Sequence, residues 1–189
     1  MAITKISDLK DKIATGARSN LFEVTLTDGF GIFNNDKETF SYLCKGAQLP
    51  GSTVGLIDVP FQGGRRYKLA GDRTFPDWTT TVINTPDQKL RQLIEQLQVK
   101  YGEINYESTK TKTNSGSLLS TVIVKQYDLA GTARYQYTLE NCWPSDISTI
   151  DLSYDSVDTL EEFTVTWTYD YFTFSQLSST SLQTLPTSG

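Results

Sequence analysis

The run from Leu160 to Phe174 constrains this chain most. Phe163, Val165, Trp167, Tyr169 and Tyr171 alternate there with Thr164, Thr166, Thr168 and Asp170. A period of two belongs to a β-strand with one face on a core, whereas helical apolar residues recur every three or four positions. The run predicts one two-sided strand of unusual length. Such a strand needs neighbours and an opposing layer. A supply of 10 Tyr, 9 Phe and 3 Trp, with many Thr and Val, favours further strands.

Those neighbours can be placed along the chain. Leu21–Thr27 reads as a strand, Asp28-Gly29 as a turn and Lys37–Lys45 as a second strand, together a hairpin. Arg73–Asn84 reads as a strand around Phe75, Trp78, Val82 and Ile83, with Pro76 near a bulge or edge. Leu119–Tyr127 and Arg134–Trp143 read as a strand and its return across a turn at Asp128–Gly131. One helix is well marked. Thr85 suits its N-cap, Pro86 its first position and Gln88 completes a capping box. Leu90, Leu93, Ile94, Leu97 and Tyr101 then share one face, and Gly102 predicts the stop. Ile3, Ile6, Leu9 and Ile13 suggest a short helix or arm. The expected architecture is mainly β: a β-sandwich or partly closed barrel with a flanking α-helix. Residues 1–174 form the domain with its N-terminal arm, and 175–189 a Ser/Thr-rich tail. The Ser/Thr-rich stretch Lys110–Ser117 reads as a mobile loop.

Gly46–Gly64 reads as a long loop with Pro50, Gly51, Gly55, Pro60, Gly63 and Gly64. It also carries Val54, Leu56, Ile57, Val59 and Phe61, which a solvated loop does not need. These side chains pack either on their own domain or on a neighbour. Long strands with open edges give a second, independent reason to expect assembly.

Several functions are disfavoured. The chain has no His, which removes His-based triads, bases and metal ligands. Cys44 and Cys142 are far apart and outside any C-x-x-C motif, so buried free thiols are the simpler reading. The net charge of −5 and pI of about 4.8 suit nucleic-acid binding poorly. Gly63-Gly64-Arg65-Arg66-Tyr67-Lys68 is a local exception, either a phosphate patch or an interface-facing strand start. Glu161, Glu162 and Asp77 are carboxylates of the kind a glycosidase uses, but neighbours on a strand point to opposite faces. No phosphate loop, dinucleotide fingerprint or nucleophile elbow occurs. No catalytic, cofactor or metal site is expected. Neither a leader peptide nor a membrane span is evident, so a soluble protein made in a cytoplasm is expected.

Phe40–Asn84 resembles the tail tube proteins of contractile-tailed bacteriophages. Its most specific part is Leu69-Ala70-Gly71-Asp72-Arg73-Thr74-Phe75 followed by Asp77-Trp78. The Cys44-Lys45 segment before the Ala47-x-Leu49-Pro50 loop fits too. Ile123–Tyr127, Trp143-Pro144, Glu162-Phe163 and Asp170-Tyr171 extend the resemblance over about residues 17–174.

The resemblance implies a virion structural protein, assembled in the host cytoplasm, with six copies per ring. Rings would stack into a hollow conduit for DNA ejection inside a contractile sheath, their strands closing one continuous barrel. Implied partners are other copies, a sheath protein, a baseplate initiator, a tail terminator and DNA in transit. It also implies ring-to-ring contacts for the Gly46–Gly64 segment, which points to Leu49, Pro50, Val54, Leu56, Ile57, Val59 and Phe61. Asp72 and Arg73 would pair locally, the simpler case, or across subunits. A ring would carry six times −5, or −30. Acidic and Thr-rich strand faces would then line the lumen, and basic residues would serve contacts between subunits. Related readings are a tube of another contractile injection system or of a tail-like bacteriocin. A sugar-binding sandwich with an aromatic platform ending at Phe174 belongs to a different class.

Overall fold

The computed structural model describes residues 16–33, 35–107, 120–155 and 157–177. The N-terminal arm and the Lys110–Ser117 loop lie outside them, as does the tail beyond residue 177. Nine strands and two helices are described: β1 (Phe22–Thr27), α1 (Lys37–Leu43), β2 (Cys44–Ala47), β3 (Thr53–Phe61), β4 (Arg65–Thr74), β5 (Trp78–Ile83), α2 (Lys89–Glu107), β6 (Ser120–Tyr127), β7 (Ala133–Ile147), β8 (Glu162–Thr168) and β9 (Tyr171–Gln176).

Seven strands form one antiparallel sheet in the order β1-β6-β7-β8-β5-β2, with β9 also paired to β7. The fifteen-residue β7 makes this sheet fold over. Its first part, Tyr135–Glu140, lies between β6 and β9, and its last part, from Trp143, pairs with β8. Asn141 sits at the change of partner with φ 58, a left-handed conformation that Asn tolerates better than most residues. Its Nδ2–H donates to Asp170 Oδ2 at 2.6 Å, and the Asp170 amide donates to the Glu140 carbonyl at 3.2 Å.

That corner ends the predicted long strand. Residues 162–168 alternate as expected, with Phe163, Val165 and Trp167 fully buried. At Asp170 the chain turns, and Tyr171–Gln176 becomes a separate strand on the other part of β7. Tyr171 is therefore exposed rather than on the core face. Strand β9 also continues through Ser175 and Gln176.

The two inner faces share one core with both helices. Val24, Leu26, Val122, Val124 and Leu139 meet Trp78, Val82, Phe163, Val165 and Trp167 across it. Strands β1 and β2 end the order without pairing each other, so the barrel is only partly closed. Helix α1 packs against both of them. Edge-to-face rings run Phe33–Phe40–Trp167 at 6.1 and 6.3 Å. Trp167 Nε1–H donates to Thr80 Oγ1 at 2.9 Å, and Trp78 Nε1–H to the Gln48 carbonyl at 2.6 Å.

Three local expectations are corrected. Lys37–Leu43 is helix, not strand, and β1 pairs with β6 instead of forming a hairpin with this segment. Phe40 and Cys44, four apart, are buried while Tyr42 is 75% exposed; a strand would have put all three on one side. The second helix carries Leu90, Ile94 and Leu97 into the core as expected, but the Thr85 capping box does not form. Thr85 instead bonds Asp87 in a preceding turn, and the Gln88 carbonyl accepts the first helical bond from Gln92. Gly102 lies inside the helix in open space, so nothing forces a stop there. Finally, Gly46–Gly64 is not a loop: most of it is strand β3 and the end of β2.

Candidate functional site

Strands β3 and β4 pair with each other and with no strand of the main sheet. Gly63 and Gly64, at φ 83 and 74, turn the chain between them. All of β3 is exposed, and in β4 only Gly71 is partly covered. An isolated two-stranded ribbon is marginal in water, so this hairpin projects from the domain in a form that wants a second surface.

Its register sorts the side chains. Ile57 faces Leu69, Val59 faces Tyr67 and Phe61 faces Arg65 on one side; Asp58 faces Lys68 and Pro60 faces Arg66 on the other. One face is thus mainly apolar and aromatic, with Arg65 at its tip; the other carries Leu56 and Ala70 near the base and is charged beyond them, with an Arg66–Asp58 ion pair at 3.3 Å. Phe61 is 71% exposed and Ile57 51%, although both are large and apolar. Leu49 is exposed and Pro50 half-buried on the segment leading into the hairpin. A bulge at Gly55 separates the tip from the base, where Val54 faces Arg73. There the two backbones nearly touch: a Cβ on Gly71 would lie 3.1 Å from the Gly55 carbonyl carbon.

The geometry brings together Val54, Leu56, Ile57, Val59 and Phe61 on a single strand. It does not form the local Asp72–Arg73 ion pair. Arg73 instead sits over the rings of Phe75 and Phe172, at 4.9 and 5.0 Å, and so ties the hairpin base to β9. From there a ladder of rings runs through Phe172, Tyr137 and Phe174 to Tyr135. This cation–ring junction, and Tyr67 and Leu69 on the apolar face, were missed by sequence reasoning. Alternation over Ile57, Val59 and Phe61 is visible in the sequence, but Pro60 and the flanking glycines mask it.

The carboxylates considered for catalysis are engaged separately. Glu162 pairs with Lys45 at 2.5 Å, Glu161 accepts from Asn84 Nδ2 at 2.9 Å, and Asp77 accepts from Thr168 Oγ1 at 3.0 Å. Cys44 and Cys142 are both buried free thiols, and burial pushes each up to about 12. Among the described residues no group of three or more His, Cys, Asp or Glu is placed to hold a metal. No described helix is long and apolar enough to cross a membrane.

Residues 17–175, which include the hairpin and every described strand except the last residue of β9, match the family described as "Phage tail tube protein". The chain belongs to this family. Tail tube proteins are structural components of the virion tail. The chain is 33% identical over 158 residues to "Tail tube protein gp19" of Enterobacteria phage T4, covering 82% of this chain and 90% of that one. The corresponding protein of Enterobacteria phage T6 is 32% identical with the same coverage. Among solved structures, a chain of the anti-feeding prophage baseplate superposes with a TM-score of 0.61 at 15% identity, over 86% of this chain and 97% of the other. A chain of an extracellular contractile injection system, described as the PVC sheath-tube complex in its extended state, gives 0.58 at 11% identity, over 92% and 99%. These superpositions show the tube-protein fold.

Proposed function

We propose that this tail tube protein forms stacked six-fold rings, the conduit for DNA ejection inside a contractile sheath. The exposed β3–β4 hairpin carries the reading: among the described residues its apolar face has no counterpart within the subunit. Leu49, Pro50, Val54, Leu56, Ile57, Val59 and Phe61 are the ring-stacking residues. Asp72 serves contacts across subunits, and Arg73 holds the hairpin at the angle those contacts require. The tube domain with its arm runs to the end of β9 at Gln176, and the residues beyond act as an appended tail. The role is structural and involves no catalysis. The partners are other copies, a sheath protein, a baseplate initiator and a tail terminator, with assembly in the host cytoplasm and DNA passing without specific binding.

The open sheet supports ring closure. Among the described residues β1 and β9 are the unpaired edges of the four-stranded portion β1-β6-β7-β9. They run in opposite directions, so β9 of one copy meets β1 of the next as an antiparallel pair. Six copies of four strands make twenty-four. At about 4.8 Å per strand the barrel has a circumference of at least ~115 Å, more when the strands tilt. The outer face of this portion alternates to Thr25, Thr121, Thr138 and Thr173, and its Lys125 lies 3.8 Å from Glu23. A neutral-to-acidic lumen of this kind lets a polyanion slide.

Negative-stain electron microscopy of the concentrated protein tests the proposal. Hollow rings or tubes with six-fold end views are expected. Compact monomers at every concentration, even with a baseplate seed, would refute it, and an Arg- and Lys-lined channel would refute the lumen assignment.

A further inference from the structure

A second exposed apolar segment lies at the other end of the subunit. Leu152, Tyr154, Val157 and Leu160, between β7 and β8, are all more than 70% exposed, and Tyr154 is fully so. The same segment, residues 149–161, holds Asp151, Asp155, Asp158 and Glu161 and no Lys or Arg. No ion pair engages Asp151, Asp155 or Asp158 among the described residues.

The hairpin is its counterpart in charge. Residues 53–74 contain Arg65, Arg66, Lys68 and Arg73 against Asp58 and Asp72, a net of +2. The whole chain carries −5, so the remainder carries −7. Arg65 and Lys68 form no ion pair within the subunit among the described residues.

The two segments are also at opposite poles of one sheet. The hairpin leaves after Ala47 and returns before Trp78, the first residue of β5; Ala47 faces Thr80 and Trp78 faces Trp167. The acidic segment enters β8 at Glu162, which faces Ile83, the last residue of β5. About 16 Å of strand separates these levels. Surfaces of opposite charge at opposite ends make a head-to-tail contact, which repeats without closing and so builds a filament.

We infer that the apolar face of the hairpin docks on the acidic 149–161 segment of a second copy in the next ring, with Arg65, which lies on that face opposite Phe61, meeting its free aspartates. This rests on the ring-stacking function proposed above and names the surface that receives the hairpin.

Charge reversal in the full chain tests it. R65E alone, and D151K/D155K alone, each raise the critical concentration for tube formation by about tenfold or more, since like charges then face one another. A chain carrying both sets returns towards the parent value. A second measurement uses F61C/L152C. Both positions are exposed and the native thiols are buried, so mild oxidation of assembled protein gives a ladder of covalent multimers, whereas neither single variant gives one. If parent tubes form but the combined reversal shows no recovery and F61C/L152C gives no ladder, the docking inference fails while the tube function stands. If F61C alone cross-links as well as the pair, hairpins meet each other and the inference is likewise overturned. If the parent chain forms no tubes under any condition, the proposed function fails and this inference with it.

Discussion

Replacing Ile57 by Asp separates assembly from folding. Ile57 lies on the hairpin's apolar face opposite Leu69, with half of its surface still open. Full burial of such a side chain contributes about 1.5–3 kcal/mol, so covering the open half in an assembled tube contributes about 1 kcal/mol. A carboxylate set into the same contact adds a desolvation cost of at least ~2 kcal/mol. The sum, about 3 kcal/mol, weakens each hairpin contact by more than ~100-fold. A ring adds six such contacts at once, so growth should stop. The fold should hardly respond. The lost cross-strand pair costs at most about 1 kcal/mol, which lowers Tm by about 2–4 °C for a chain of this size. Thermal unfolding followed by circular dichroism, with sedimentation and electron microscopy at matched concentrations, reads both quantities. Tubes of normal length from Ile57→Asp would refute the stacking assignment. A collapse of Tm would show that the hairpin is part of the core after all.

Other positions probe other links. Gly71→Ala places a methyl 3.1–3.3 Å from the Gly55 backbone and the Ile57 side chain; the hairpin base must shift, so tube yield should fall several-fold while Tm moves by less than about 4 °C. Trp167→Phe leaves the buried Thr80 hydroxyl without its donor, at about 1–3 kcal/mol, which calorimetry should read as a Tm loss of roughly 2–12 °C; an unchanged Tm would show that water replaces the bond. Asp128 closes the β6–β7 turn. The Thr132 amide, with Arg134 and the Ala130 amide, holds its carboxyl below the usual range. A lowered folded value means that its stabilisation is present above about pH 4 and disappears as pH falls through that value. The Tm gap between the parent and Asp128→Asn should therefore be present at pH 7 and close in acid; a gap that persists in strong acid would contradict this.

The class of structure follows from local patterns of residues. Alternation over 162–168 specifies a strand and its buried face whatever surrounds it, because adjacent side chains point to opposite sides of any sheet. The helical face through Leu90, Ile94 and Leu97 is equally local, as is the burial of two unpaired cysteines. The apolar residues between Val54 and Phe61 were legible as side chains that a solvated loop does not require, while their pattern left open whether they pack on their own domain or on a neighbour. Where strands end and what they pair with depends on contacts between distant segments. The break at Asp170 depends on Asn141 and Glu140, which lie thirty residues away on β7. Phe40 is buried on one face of α1, and Cys44 just past its end, because α1 packs against β1 and β2 together. The capping signal at Thr85 was outcompeted by a preceding turn, so the helix starts three residues later, at Lys89. The two poles of the subunit are likewise a tertiary fact: the hairpin and the 149–161 segment are far apart in sequence, and only the antiparallel register of β5 with β8 sets them at opposite ends of one sheet.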